Sequence, residues 1–91
     1  MARLHVKIHG RVQGVGFRWF AREEARRLGL SGWVTNRPGG EVEVEAGGEA
    51  LSLDRLRCAL EVGPPGAQVE HVELLAQESD GSLPYPFSIH R

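Results

Sequence analysis

One cysteine, Cys58, stands in the whole 91-residue chain, so no intramolecular disulfide holds the fold. Lysine is equally scarce: Lys7 is the single example, and the other ten of the eleven basic residues are arginine. Against twelve acidic residues they leave a formal net charge of −1, so the basic excess usual in nucleic-acid binders is missing. No apolar run nears the ~20 residues of a membrane-spanning helix. The opening "MARLHVKIHG" alternates instead of forming an apolar block, which argues against a secretory signal. The expected location is therefore the cytoplasm, with neither membrane nor nucleic acid as a partner. A phosphate-binding P-loop is also excluded, because no Lys-Ser or Lys-Thr pair occurs.

What is present is regular. The apolar fraction of 41% and charged fraction of 25% are those of an ordinary globular chain, and the length predicts one domain over residues 1–91. Residues 3–9 alternate, with Leu4, Val6 and Ile8 on one face and His5, Lys7 and His9 on the other, as in a half-buried strand. From residue 18 to 28 the period lengthens: Phe17, Phe20, Ala21, Ala25 and Leu28 mark the apolar side of a helix that Gly29 should end. "LSGWVTN" and "EVEVEA" read as a strand pair joined by "RPGG", with Val42, Val44 and Ala46 inward and Glu41, Glu43 and Glu45 in water. A second helix carries Leu53, Leu56 and Leu60 and stops at Gly63-Pro64-Pro65-Gly66. "AQVEHVELLAQE" is a fourth strand whose apolar phase slips between Val69 and Val72, the mark of a bulge. "SDGSLPYP" is a loop, and "FSIHR" closes the chain as a short strand with Phe87 and Ile89 inward. The order strand–helix–strand–strand–helix–strand predicts an α+β, ferredoxin-like split βαβ fold, an antiparallel sheet with both helices on one face. Such a fold hosts many functions.

The stretch "GRVQGVGFR", residues 10–18, joins the first strand to the first helix. One reading is a plain bend. The other is a cradle: Gly14 and Gly16 permit positive φ on either side of Val15, so successive N–H groups can converge on an anion at a helix N-terminus. Arg18 adds a planar cation suited to phosphate or carboxylate. A dinucleotide-binding fingerprint does not fit, because Trp19 occupies the place of its third glycine.

"GRVQGVGFR" is similar, nearly residue for residue, to the first signature of the acylphosphatase family, and "GWVTNRPGGEVEVEAGG" (residues 32–48) resembles the second. The resemblance extends through "GPPGAQVEHVE" to the terminal "FSIHR". One departure is Thr35, where the family usually has Lys, Arg, Gln or Ala; the position is not one thought to do chemistry. The resemblance implies hydrolysis of acyl phosphates to a carboxylate and inorganic phosphate, by a metal-independent, cofactor-free monomer that also takes inorganic phosphate or sulfate as a ligand. It assigns Arg18 to phosphate binding and Asn36 to positioning the attacking water. The backbone of Gln13, Gly14, Val15, Gly16 and Phe17 is to hold the phosphoryl oxygens. Acetyl, carbamoyl and glyceroyl phosphates are candidate substrates by the same token.

That chemistry agrees with the residue types. A carboxylate leaves without a general acid, its conjugate acid having a pKa of roughly 4. Phosphoryl transfer depends mostly on positioning and electrostatic stabilisation. Asn36 is too weak a base to take a proton, but its amide oxygen can orient water.

The remaining residues read as structural. His5, His9, His71 and His90 lack metal-ligand spacing and are expected on the surface, and Cys58 is expected to be an inert, partly buried thiol. Trp19 and Trp33 adjoin the loop; packing on the helix and across the sheet is favoured over a place at a substrate mouth. Tyr85 and Arg91 lie near the last strand, with no role visible in the sequence. Two alternatives are a ferredoxin-like binding module and a non-catalytic accessory domain, as at the front of hydrogenase-maturation carbamoyltransferases. "GVGFRWF" does echo an aromatic motif of RNA-recognition domains, but here the aromatics open a helix.

Overall fold

The computed structural model describes residues 2–76 and 81–90. The first alternation becomes β1 (Ala2–Arg11), and its inward residues Val6 and Ile8 are fully buried. The helical period becomes α1 (Phe17–Arg27), which ends as the glycine predicts: Gly29 N–H donates to Arg26 O at 3.1 Å and Leu30 N–H to Ala25 O at 2.9 Å. β2 (Ser31–Asn36) and β3 (Val42–Gly48) flank the "RPGG" turn, α2 (Ala50–Val62) follows, then β4 (Gln68–Leu74) and β5 (Ser88–Ile89). The core joins alternate residues of β1, β2 and β3 to Phe17, Ala21 and Ala25 of α1, Leu53, Leu56 and Leu60 of α2, and Phe87.

The five strands lie in the order β4-β1-β3-β2-β5. Pairing is antiparallel throughout β4, β1, β3 and β2, whereas β5 adds to β2 in parallel, with Trp33 opposite Ser88 and Val34 opposite Ile89. The sheet is thus mixed at one edge. The predicted bulge is present: His9 faces His71 but Gly10 faces Val69, so Glu70 is the extra residue of β4. At this point the strands approach so closely that a Cβ on Gly10 would run into Gln68 O and lie 2.8 Å from Glu70 N.

On the open face of the sheet the glutamates are not simply solvated. Glu43 and Glu45 keep 12% and 13% side-chain exposure. The register sets basic groups across from them: His5 Nε2 lies 2.6 Å from Glu43, Arg37 Nε 3.3 Å from the same carboxylate, and Arg3 Nη1 3.4 Å from Glu45. Alternation predicted the face correctly and said nothing of the basic side chains that would meet it.

Candidate active site

β1 and β2 are both antiparallel to β3, so they run parallel to each other and their C-terminal ends emerge at the same edge of the sheet. They are not neighbours, since β3 separates them by two strand spacings, roughly 10 Å. The loop after β1 therefore crosses the β2–β3 turn before α1 begins, and its cradle comes to rest beside Asn36, the last residue of β2. β5, parallel to β2, delivers Ile89 to the same edge.

The loop is built as the glycines predict. Gly14 and Gly16 have φ of +76° and +78°, and a Cβ on either would meet nothing within 4 Å, so both open on free space. Val12 is buried and Val15 packs against the core, which pins the segment from beneath. Gly16 is the N-cap of α1 and uses no side-chain cap. The first helical bond runs from Phe20 N–H to Gly16 O at 3.0 Å, which leaves the amides of Phe17, Arg18 and Trp19 without intrahelical acceptors. These N–H groups and the positive end of the helix dipole favour an anion at this spot.

Gln13 plays a part the sequence did not disclose. Its side chain turns away from the cavity, and Nε2 donates to Arg37 O at 2.8 Å and to Glu41 O at 2.9 Å. Those carbonyls bracket the turn that follows Asn36, whose ends are also joined by Arg37 N–H to Glu41 O at 2.8 Å. One side-chain amide thus ties the cradle to the strand end that carries Asn36.

The cavity enclosed by these elements has a volume of about 190 Å³ and is lined by Gly14, Gly16, Phe17, Arg18, Trp19, Asn36 and Ile89. Arg18 is half-buried and, among the described residues, is the one charged side chain in that lining. Among the described residues neither its guanidinium nor the Asn36 amide has a side-chain or main-chain partner. Both are held in place by the fold and uncommitted within it.

Of the predicted residues, Gly14, Gly16, Phe17, Arg18 and Asn36 meet here, whereas Val15 points into the core and Gln13 into the turn. Ile89 was missed, and Trp19, which adjoins the loop in sequence, was assigned to packing in preference to the substrate mouth. Trp19 does not pack down on the helix: it stays 59% exposed at the cavity wall. Its position directly after Arg18 was the available signal.

Elsewhere the expectations divide. Trp33 does pack on the open sheet face, edge-on to His5 at 6.0 Å and stacked on His90 at 5.8 Å. His9 stacks on His71 at 4.3 Å, its cross-strand partner. His5 is not a surface residue, keeping 15% side-chain exposure between Glu43 and Trp33. Cys58 is exposed, not partly buried, because it sits two residues past Leu56 and so on the helix face opposite the leucine stripe. Tyr85 lines a separate cavity with Arg3 and Gly47, away from the loop, and Arg91 lies outside the described residues. The open face of central strands β1 and β3 carries Arg3, His5, Lys7, His9, Glu43 and Glu45. Among the described residues no group of three or more metal-ligating side chains converges, and no helix is long and apolar enough to cross a membrane.

Comparison with known proteins places this geometry in context. The family profile described as Acylphosphatase matches residues 4–89. A curated acylphosphatase from Thermococcus kodakarensis is 47% identical over 79 residues, which cover 87% of each chain. The crystal structure of acylphosphatase from Bacillus subtilis, 36% identical, superposes over 100% of both chains with a TM-score of 0.89. The HypF structure from T. kodakarensis, 28% identical with a TM-score of 0.83, matches all of this chain through only 12% of its own.

Proposed function

Since the chain belongs to the acylphosphatase family and hydrolyses acyl phosphates, we propose a division of labour among its residues that follows from the cavity at the ends of β1 and β2. The phosphoryl group of the substrate rests on the main-chain amides of residues 13–17, with Arg18 paired to its equatorial oxygens. Asn36 accepts a hydrogen bond from a water through Oδ1 and aims its lone pair at phosphorus. Attack in line forms a new P–O bond and breaks the bond to the carboxyl oxygen. The acyl group departs as a carboxylate, and both protons of the water stay on the phosphate product. No general acid is needed for so good a leaving group. The amides and the guanidinium supply the positive charge, so the reading is metal-independent.

The observation that carries this reading is the meeting of Gly14, Gly16, Arg18 and Asn36 in one cavity, with both functional side chains free of partners among the described residues. We read the chain as one domain over residues 1–91 that acts as a monomer, as the family resemblance implies. An exposed, unpaired thiol fits a reducing cytoplasm.

The test is phosphate release from benzoyl phosphate with EDTA present, comparing the unaltered protein with Asn36→Ala. Turnover in the variant should fall at least about a hundredfold, within the reach of lost orientation, while competitive inhibition by inorganic phosphate stays. Turnover within a few-fold of the original would remove Asn36 from the role. Abolition by EDTA would remove the metal-independent reading.

A further inference from the structure

A bound acyl phosphate has two ends, and the cradle accounts for one. With the phosphoryl group on the loop amides and Arg18, and water at Asn36, the acyl group must occupy the rest of the same cavity. What remains of the lining is hydrocarbon: Phe17 at its buried floor, Trp19, and Ile89.

Trp19 is unusual in this position. Large aromatic side chains supply much of a small protein's core, yet Trp19 leaves 59% of its surface in solvent. The core does not need it: α1 buries Phe17, Ala21 and Ala25 instead. Nor does it stack on another ring among the described residues, unlike Trp33, which has His5 and His90. Ile89 is packed against the core on one side and lines the cavity on the other. Among the described residues no acidic side chain lines the cavity, and the one cation in that lining, Arg18, is engaged by the phosphoryl group.

We propose that Trp19 and Ile89 form an acyl subsite, and that it selects acyl phosphates with a planar, apolar acyl group over those with a small or polar one. This rests on the phosphoryl-site reading above. The indole face covers such a group as soon as the phosphate is seated, and Ile89 closes the space beside it. A hydroxylated or charged tail meets two hydrocarbon surfaces there and loses its water without gaining a partner. The gain from an aromatic acyl group is roughly tenfold in kcat/KM, from covering about 50–60 Å² of apolar surface.

The experiment compares benzoyl phosphate with acetyl phosphate as substrates of the unaltered protein, Trp19→Ala and Trp19→Phe. The benzoyl-to-acetyl ratio of kcat/KM should exceed one in the unaltered protein and drop about tenfold in Trp19→Ala, chiefly through KM. Trp19→Phe should retain most of it. An equal loss for both substrates would make Trp19 a support of the cradle and overturn the proposal. So would a ratio that does not move. Failure of the unaltered protein to turn over either substrate would instead sink the phosphoryl-site reading, a result distinguishable from a flat ratio.

Discussion

Replacement of Gln13 by alanine removes a donor that the structure uses twice, toward Arg37 O at 2.8 Å and Glu41 O at 2.9 Å. Neither carbonyl is orphaned by the change. Arg37 O still accepts from Gly40 N–H at 3.1 Å, and Glu41 O from Arg37 N–H at 2.8 Å. The loss in stability therefore belongs at the low end for two hydrogen bonds, about 1–2 kcal/mol, and urea denaturation should register that much. The effect on turnover should be larger in kind. Gln13 is the tie between the segment proposed to hold the phosphoryl group and the turn that follows Asn36, and a displacement of about 1 Å between reacting groups can cost a hundredfold. Expected, then, is a fall in kcat of roughly ten- to a hundredfold with inhibition by inorganic phosphate weakened only a few-fold, because cradle and Arg18 move together. Gln13→Glu sharpens the test by setting an acceptor-only carboxylate against two carbonyl oxygens. If either variant loses the expected stability yet turns over benzoyl phosphate within about twofold of the original, the tie serves the fold alone.

Two further outcomes test the frame around the site. Arg18→Gln should slow phosphate release and also weaken inhibition by phosphate or sulfate about tenfold or more, since one charged hydrogen-bond pair is lost; intact anion inhibition would place Arg18 outside the site. Gly10→Ala sets a Cβ against Gln68 O and Glu70 N at a φ of +127°, so it should destabilise by about 2–4 kcal/mol in urea denaturation. A midpoint that does not move would show that β1 and β4 separate at little cost.

Much of this molecule can be read from local pattern. Alternation at Leu4, Val6 and Ile8 and helical spacing at Phe17, Ala21 and Ala25 identify the buried residues correctly, because those periods are direct consequences of strand and helix geometry. The slip between Val69 and Val72 marks the bulge for the same reason. Gly14 and Gly16 announce a left-handed backbone that other residues rarely adopt, and Arg18 follows them in the chain. The role proposed for Asn36 rests on the signature it stands in, not on its neighbours in sequence.

Contacts between distant segments were beyond that kind of reading. Which strand lies between β1 and β2, that β5 enters in parallel, that His5 and Arg37 reach Glu43, and that Gln13 spans to the turn after Asn36 all depend on segments far apart in the chain. The exposure of Trp19 belongs with them, since α1 is already satisfied by smaller residues once it is laid against β2. The chain by itself determined what each segment is and which face it buries, because backbone periodicity is local. Only the folded arrangement decided what each open face meets, because that is set by sheet order and register, which no short stretch encodes alone.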